Sequence, residues 1–583
     1  MRFWKSVALP AALVLGLVAA CAAAGALPAR PAPVRPAAPA PPKAGAAVPY
    51  GHKDFYPTPE RPIGSRGDGS GVFPGAAPVT DWDEKTGRNV LWKTAMPNWG
   101  HSCPIVVGDR VFLTAEPGWK SDWPALLCVA AADGRILWQR ELNHLAVALP
   151  DAAERAAVAR TWHDLMAQYR LAYNLFNFYF YHDDKEAGIR KFAENGFDYG
   201  GWSGGGYGQL RKMRFKEVEA HRANLKTAAR GGLNLETWEH QCGMGTSCVG
   251  QVFATPAGDG QFVYVATAFG SFACFDLEGN LRWMQFVRGE PSQGGNDYCK
   301  NARSPLLYKD LFISDIENVV RAFDRRTGQL KWSYPIFGAH TIMSPVVLTI
   351  GGTDVLLSVG PHAYRLPEGK PLTVEGWSST GARAVLDTDH RDTVFFTGGG
   401  EHGGWEGKGD CPTPPPAAVR FSLKGDALQA KVLWSGVNGE RLCEHTALTY
   451  FGGKLYHGRG LILDAATGKV LAGSTERRGN RAVPQTRQFV LIAGDRVYGL
   501  HEGRGGETEP AQTGVCEVYT LQGRKIAEST LSNAPPDGEK KEQIIAIHGY
   551  NTWRFSYACP FTVAGDRLYV RSNDYLFCLG PKG

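Results

Sequence analysis

Apolar and polar positions alternate over short runs along this chain, and the runs come in pairs around a polar corner. Period-2 alternation bounded by turn residues predicts strands joined as hairpins. Copies stand at PIVVGDRVFLT (Pro104–Thr114), PAGDGQFVYVAT (Pro256–Thr267), PLLYKDLFIS (Pro305–Ser314) and PVVLTIGGTDVLLS (Pro345–Ser358). Four more follow at Ala384–Thr397, Thr446–Gly458, Phe489–Leu500 and Pro560–Ser572. A second phrase trails several of them: LLCVAAADGRILW (Leu126–Trp138), FACFDLEGNLRW (Phe272–Trp283), VRAFDRRTGQLKW (Val320–Trp332) and the weaker ILDAATGKVLA (Ile462–Ala472). Each reads as strand, tight turn, strand, because glycine supplies the positive φ that such a turn needs.

A repeated unit that cannot bury its own faces must stack on its neighbours. Six of the corners recur at roughly 40- to 70-residue intervals, the range of a four-stranded propeller blade with loop insertions. The last copy, YLFCLGPKG, stops after a third strand, while an unmatched fourth strand, Asn89–Ala95, precedes the first copy. The expected fold is therefore all-β: an eight-bladed β-propeller of four-stranded blades, closed by the N-terminal strand. Pairing the chain's two ends removes the open edge that a linear array would leave.

Composition narrows the partners. Lys and Arg exceed Asp and Glu by 63 − 57 = 6, and charged residues make up 21% of the 583. That excess is too small to argue for nucleic acid or an anionic membrane surface as a partner, and no nucleic acid is expected. At the N-terminus, Arg2 and Lys5 precede an apolar run from Val7 to Ala20 that suits a secretory signal. Val18-Ala19-Ala20-Cys21 resembles a lipoprotein cleavage box with Cys21 lipidated; cleavage after Ala24 or Ala26 is the alternative. Residues 22–80 then read as a Pro/Ala-rich tether, extended and unpacked over 24–48. Export to the periplasmic face of a bacterial membrane, the outer one by preference, is the expected localisation.

Residues 81–142 read as closing strand and first blade, and 249–583 as the remaining blades. Between them, 143–248 breaks the pattern. Apolar residues at helical spacing follow Pro150-Asp151, and a second helical stretch ends at Gly231-Gly232, so a helical insertion is expected. Its aromatic run (Tyr169, Tyr173, Phe176, Phe178, Tyr179, Tyr181) reads as packing ahead of a carbohydrate platform. Gly398–Pro416 is a Gly- and Pro-rich loop.

The phrase Ala322-Phe323-Asp324-Arg325-Arg326-Thr327-Gly328, closed by Trp332, resembles the pyrroloquinoline-quinone (PQQ)-like β-propeller repeat. The resemblance spans about residues 88–142 and 249–580. It implies that Trp92, Trp138, Trp283, Trp332 and Trp434 dock neighbouring blades. The repeat near Ala384–Trp434 lacks the turn phrase, and the one after Pro345 carries PEGKPL in its place. It also opens two functional expectations. One is a non-catalytic scaffold similar to the outer-membrane assembly lipoprotein propeller, binding an envelope protein or a small ligand, with no cofactor. The other is an oxidoreductase using PQQ with calcium, or a bound metal, in a central funnel. Quinoprotein dehydrogenases place an adjacent-cysteine disulfide beside PQQ, and this chain has no Cys-Cys pair and no C-x-x-C-H site.

Cys128, Cys274 and Cys578 share the register of Ala322 and read as buried small residues. Cys242 and Cys248 flank a Gly-rich turn as a disulfide candidate. Candidate ligand residues cluster just before the first strand of each repeat: His101, Cys103, Cys299, Asn301, Arg303, His340, Cys443, Glu444, His445, Tyr557 and Cys559. Converging His, Cys and Glu suit a soft metal or a polar ligand, while a wet propeller mouth equally accommodates them. Glu401, His402, Asp410 and Cys411 read as a solvated loop. No catalytic residue is assigned.

Overall fold

The computed structural model describes residues 48–116, 122–181, 185–196, 218–233, 252, 254–267, 270–287, 303–316, 319–336, 344–358, 362–377, 384–397, 415–437, 448–458, 460–474, 481–484, 489–502, 513–532 and 561–582. Each hairpin read from the alternation is present as a strand pair. The first sheet runs Ile105–Val107, Arg110–Ala115, Ala125–Ala130, Ile136–Glu141. The second runs Ala257–Gly258, Phe262–Ala266, Ser271–Asp276, Leu281–Phe286, and the third Leu306–Tyr308, Leu311–Ser314, Val319–Asp324, Leu330–Pro335. The fourth is built from Val346–Ile350, Thr353–Leu357, Ala363–Arg365 and Lys370–Glu375. The fifth holds Ala384–Leu386, Thr393–Phe396, Ala417–Lys424 and Ala427–Ser435. The sixth holds Leu448–Phe451, Lys454–His457, Leu461–Asp464 and Val470–Ala472. The seventh holds Leu491–Ala493, Arg496–Glu502, Thr513–Thr520 and Lys525–Ser532.

The terminal sheet joins both ends of the chain. Phe561–Ala564, Arg567–Arg571 and Tyr575–Leu579 are completed by Val90–Ala95, which pairs antiparallel with Tyr575–Leu579. Trp92 lies opposite Cys578 there, as Trp138 lies opposite Cys128 and Trp283 opposite Cys274. All three cysteines are buried free thiols, and burial pushes those of Cys128 and Cys578 up to about 12. A small, neutral side chain under a large indole is a packing choice.

Apolar cores form between consecutive sheets, and each cluster draws on two of them. Trp92, Tyr569 and Leu576 of the terminal sheet pack with Val111, Leu113 and Val129 of the first. Clusters of the same kind join first to second and second to third. Others join third to fourth, fourth to fifth and fifth to sixth. Two more join sixth to seventh and seventh to terminal. Each fully buried large apolar side chain there contributes about 1.5–3 kcal/mol.

The five tryptophans assigned as docks share one geometry. Trp92 Nε1 donates to Ala131 O (3.1 Å), Trp138 to Leu277 O (3.0 Å) and Trp283 to Arg325 O (2.8 Å). Trp332 donates to Pro367 O (3.1 Å), and Trp434 to Ala465 O (2.8 Å). In every case the indole of one sheet reaches the turn of the next and lies on a turn glycine: Gly134, Gly279, Gly328, Gly369 or Gly468. Gly369 belongs to the PEGKPL variant, which therefore does the same job. The fourth sheet carries Leu372 (opposite Ala363) where these five place tryptophan, and it is joined to the fifth differently. Its outer strand pairs in parallel with that of the fifth, Thr373↔Ala427 through Glu375↔Gln429, fusing the two into one eight-stranded sheet.

The expected insertion is helical where described: Leu145–Ala148, Ala152–Tyr181, Lys185–Glu194 and Arg222–Arg230. Asp151 caps the long helix by accepting from Glu154 N (2.8 Å). The aromatic side chains from Tyr169 onward lie outside the described residues. Trp162 is buried and stacks on Trp123 at 5.0 Å, fastening the helix to the first sheet's edge.

One sequence expectation needs correction. Residues 48–80, read as tether, are built into the sheets: Ile63, Phe73 and Ala76 are buried, and Val72–Phe73 pairs in parallel with Ile492 and Ala493. Single bridges and lone apolar residues leave no periodic signal, so composition alone made this stretch resemble a linker. Of the proposed tether, residues 22–47 lie outside the described residues, as does Cys21. No helix among the described residues is long and apolar enough to cross a membrane.

Candidate functional site

The first strand of each sheet begins at the end opposite its hairpin corner, and the candidate ligand residues sit at those starts. At the register just before the prolines that recur at these starts, side chains tie sheet to sheet. Cys103 N donates to Thr255 Oγ1 (3.3 Å), Thr255 N to Ser304 Oγ (3.0 Å), and Ser304 N to Ser344 Oγ (3.1 Å). The Cys103 thiol donates to Phe561 O in the terminal sheet (3.1 Å). Proline next in line has no N–H, so the residue before it supplies the last backbone donor, and a short hydroxyl next door satisfies it. The sequence placed Cys103 just before the first strand of its repeat; the relay between sheets needed coordinates.

One residue earlier, the chemistry becomes charged. Arg303 and Asp315 are both fully buried. Arg303 Nη1 donates to Asp315 O (2.7 Å) and lies 3.5 Å from Oδ2, which also accepts from Ser358 Oγ (2.8 Å). Burial raises the Asp315 carboxyl above its ordinary range, against the pull of Arg303. Arg303 Nε and Nη2 and Asp315 Oδ1 are buried with no hydrogen-bond partner among the described residues. In the equivalent Ser102 position of the first sheet, the hydroxyl simply accepts from Thr114 N (2.9 Å).

A second buried arginine stands where the terminal and first sheets meet. Arg571 Nε donates to Gly100 O (3.3 Å) and Nη2 to Asn573 O (3.4 Å). Burial lowers its guanidinium to about 9, opposed by Asp574 and Glu116. A Cβ on Gly100 would come within 2.8 Å of the guanidinium, so glycine is what lets the chain pass. His101 is buried beside it, edge-on to Trp99 at 5.5 Å. Glu116 Oε1 accepts from Val252 N (2.9 Å). Sequence reasoning missed Arg571, Glu116 and Asp315, because each lies at or just past the end of a second strand, away from the starts of the first strands.

Of the candidate set, His101, Cys103 and Arg303 are described. Cys299, Asn301, His340, Cys443, Glu444, His445, Tyr557 and Cys559 lie outside the described residues. So do Cys242, Cys248, Glu401, His402, Asp410 and Cys411. Among the described residues, no group of three or more His, Cys, Asp or Glu side chains is arranged to hold a metal ion. Calcium takes six to eight oxygens. Asp315, the described acid beside Arg303, already has Oδ2 engaged by Ser358 and Arg303.

Four-stranded antiparallel sheets packed face to face in sequence order, each docked on the next, define a β-propeller-type repeat protein. The family profile described as outer membrane protein assembly factor BamB matches residues 60–171 and 236–358. Over those two stretches the chain resembles the PQQ-like propeller-repeat family. Among solved structures it is similar to BamB from Moraxella catarrhalis, with 13% identity over 56% of this chain and 80% of that one, at a TM-score of 0.32. It is also similar to a europium-containing methanol dehydrogenase, with 12% identity over 48% and 70% of the chains, at a TM-score of 0.30. No curated protein matches.

Proposed function

We propose that this chain is a closed eight-bladed propeller serving as a non-catalytic binding scaffold in the bacterial cell envelope, anchored through a lipid on Cys21. Closure is supported by the terminal and first sheets sharing a core and by Trp92 docking on the first sheet's turn. Counting the fused fourth and fifth sheets as two blades gives eight. The observation that carries the scaffold reading is the use made of Cys103, Thr255, Ser304 and Ser344. Cys103, which reads as a ligand in sequence, is spent with these three neighbours on tying blades together. Arg303 and Asp315 likewise engage each other. A rigid ring with its polar residues committed to the frame suits recognition of a partner over turnover. The matching profile is named for an assembly factor, which favours an envelope protein as that partner.

Native mass spectrometry of the protein purified from its own envelope fraction tests the reading. The expected mass is that of the polypeptide with its lipid, unchanged after incubation with PQQ and calcium. A stoichiometric mass gain from PQQ would replace the scaffold with the oxidoreductase. Substituting Cys21→Ser should remove both the lipid mass and the membrane association.

A further inference from the structure

The segment from Val48 to Trp82 first runs against the hairpin corners. Gly565 N donates to Gly51 O (2.7 Å) and Tyr56 Oη to Gly260 O (2.8 Å); Arg325 Nη1 donates to Pro59 O (3.3 Å). It then turns inward. Ile63 and Gly258 exchange both backbone hydrogen bonds, at 2.8 and 2.7 Å. Ala257–Gly258 is the end strand of the second sheet, so Ile63 occupies that strand's free edge. Three residues on, Arg66 Nη2 donates to Thr449 Oγ1 (2.9 Å) and Leu448 O (3.4 Å), on the end strand of the sixth sheet. Its guanidinium lies 3.8 Å above the Phe489 ring. Val72 and Phe73 then cover the end strand of the seventh sheet.

In a ring of eight, the second and sixth blades face each other across the axis. The Gly64–Gly67 hydrogen bonds fold the backbone between Ile63 and Arg66 into a tight turn, so the long arginine side chain makes the rest of the crossing. Gly258 borders the corner of the second sheet, while Thr449 lies two residues inside the corner end of its strand in the sixth. The segment therefore enters at the corner face and passes between the blades. Ile63, Arg66 and Phe73 are all buried, and Arg66 adopts φ +60°, next to the Gly64↔Gly67 bridge that reverses the chain.

We infer that Ile63–Phe73 is a built-in plug that fills the propeller's central channel from the corner face, making it a blind cup. This rests on the ring reading above. The plug turns unpaired inner edges into paired ones, which removes a template for strand addition by other chains. It also fixes the polarity of binding. A ligand or partner of the channel enters by the opposite mouth, where His101, Arg303, Asp315 and Arg571 stand, and nothing threads the ring.

Hydrogen exchange by mass spectrometry on the full exported protein tests this. Peptides covering residues 60–74 should exchange as slowly as those of the sheets, although the stretch is largely non-repetitive. In Arg66→Ala, exchange across 60–74 and 448–451 should speed up about tenfold or more while Leu330–Pro335 stays unchanged. Ile63→Pro, which deletes the donor to Gly258, should release the same peptides. Unprotected exchange over 60–74 in the unsubstituted protein overturns the plug. Loss of protection at Val90–Ala95 and Tyr575–Leu579, with 60–74 still slow, would instead overturn the ring.

Discussion

The Trp92 indole donates to the Ala131 carbonyl at 3.1 Å, joining the strand that completes the last sheet to the turn of the first. The same ring covers Gly134, where a Cβ would approach it to 2.6 Å and where φ is +76°. Trp92→Ala removes the indole from this buried seam and should cost about 3–5 kcal/mol in urea unfolding. Trp92→Phe keeps much of the area and loses the hydrogen bond, about 1 kcal/mol. Gly134→Ala should approach the alanine variant at Trp92 in severity, since it meets both the ring and a left-handed backbone. Equal, small effects for all three would mean the ends are not docked.

The fourth and fifth sheets offer a contrast, because strand pairing takes the place of an indole. Thr373 N donates to Asp426 O (3.0 Å), and Lys370 Nζ sits 2.6 Å from Asp426 Oδ2. That ion pair is exposed, so Asp426→Ala should cost under about 1 kcal/mol. Thr373→Pro deletes the backbone donor and should cost about 2 kcal/mol. Denaturant midpoints at matched slope would separate the two; the reverse order would make the ion pair the tie.

Arg303 and Asp315 form a buried pair whose halves depend on each other. Asp315→Ala leaves a guanidinium with no access to water and should destabilise by about 3–5 kcal/mol. The double substitution Arg303→Met with Asp315→Leu should recover more than half of that loss, since apolar groups of similar size replace both charges. Additive losses in the double-substitution cycle would show the two residues acting independently.

What the sequence revealed follows from how local each interaction is. The hairpins and the docking tryptophans were legible because glycine corners and indoles recur at fixed offsets within one repeat. Val90–Ala95 as the missing strand was legible by subtraction from Tyr575–Leu579. The inner relay was half legible: Cys103 stood out at the start of its repeat, yet its hydrogen bonds run between repeats. Arg66 on Thr449 joins residues 383 apart with no motif on either side. Nothing in the composition of residues 48–80 distinguishes such a packed strap from a tether.

His144 gives the insertion a predictable response to acid. It is buried against Phe286 (5.2 Å, stacked), Trp123 (5.1 Å) and Trp162 (5.7 Å), where the first helices leave the sheets. Burial lowers its pKa from 6.5 to about 3. Above pH 6.5 the imidazole is neutral in folded and unfolded chains, and its stability contribution is fully present. As pH falls below 6.5 the unfolded chain takes up a proton that the folded one refuses until pH 3, so stability is lost across that window. At pH 5 the loss amounts to roughly 2 kcal/mol. His144→Phe keeps an aromatic ring in the box and cannot titrate. Its melting temperature should therefore fall less between pH 7.5 and pH 5 than that of the unsubstituted protein. Parallel pH profiles for the two would place the acid sensitivity in some other group.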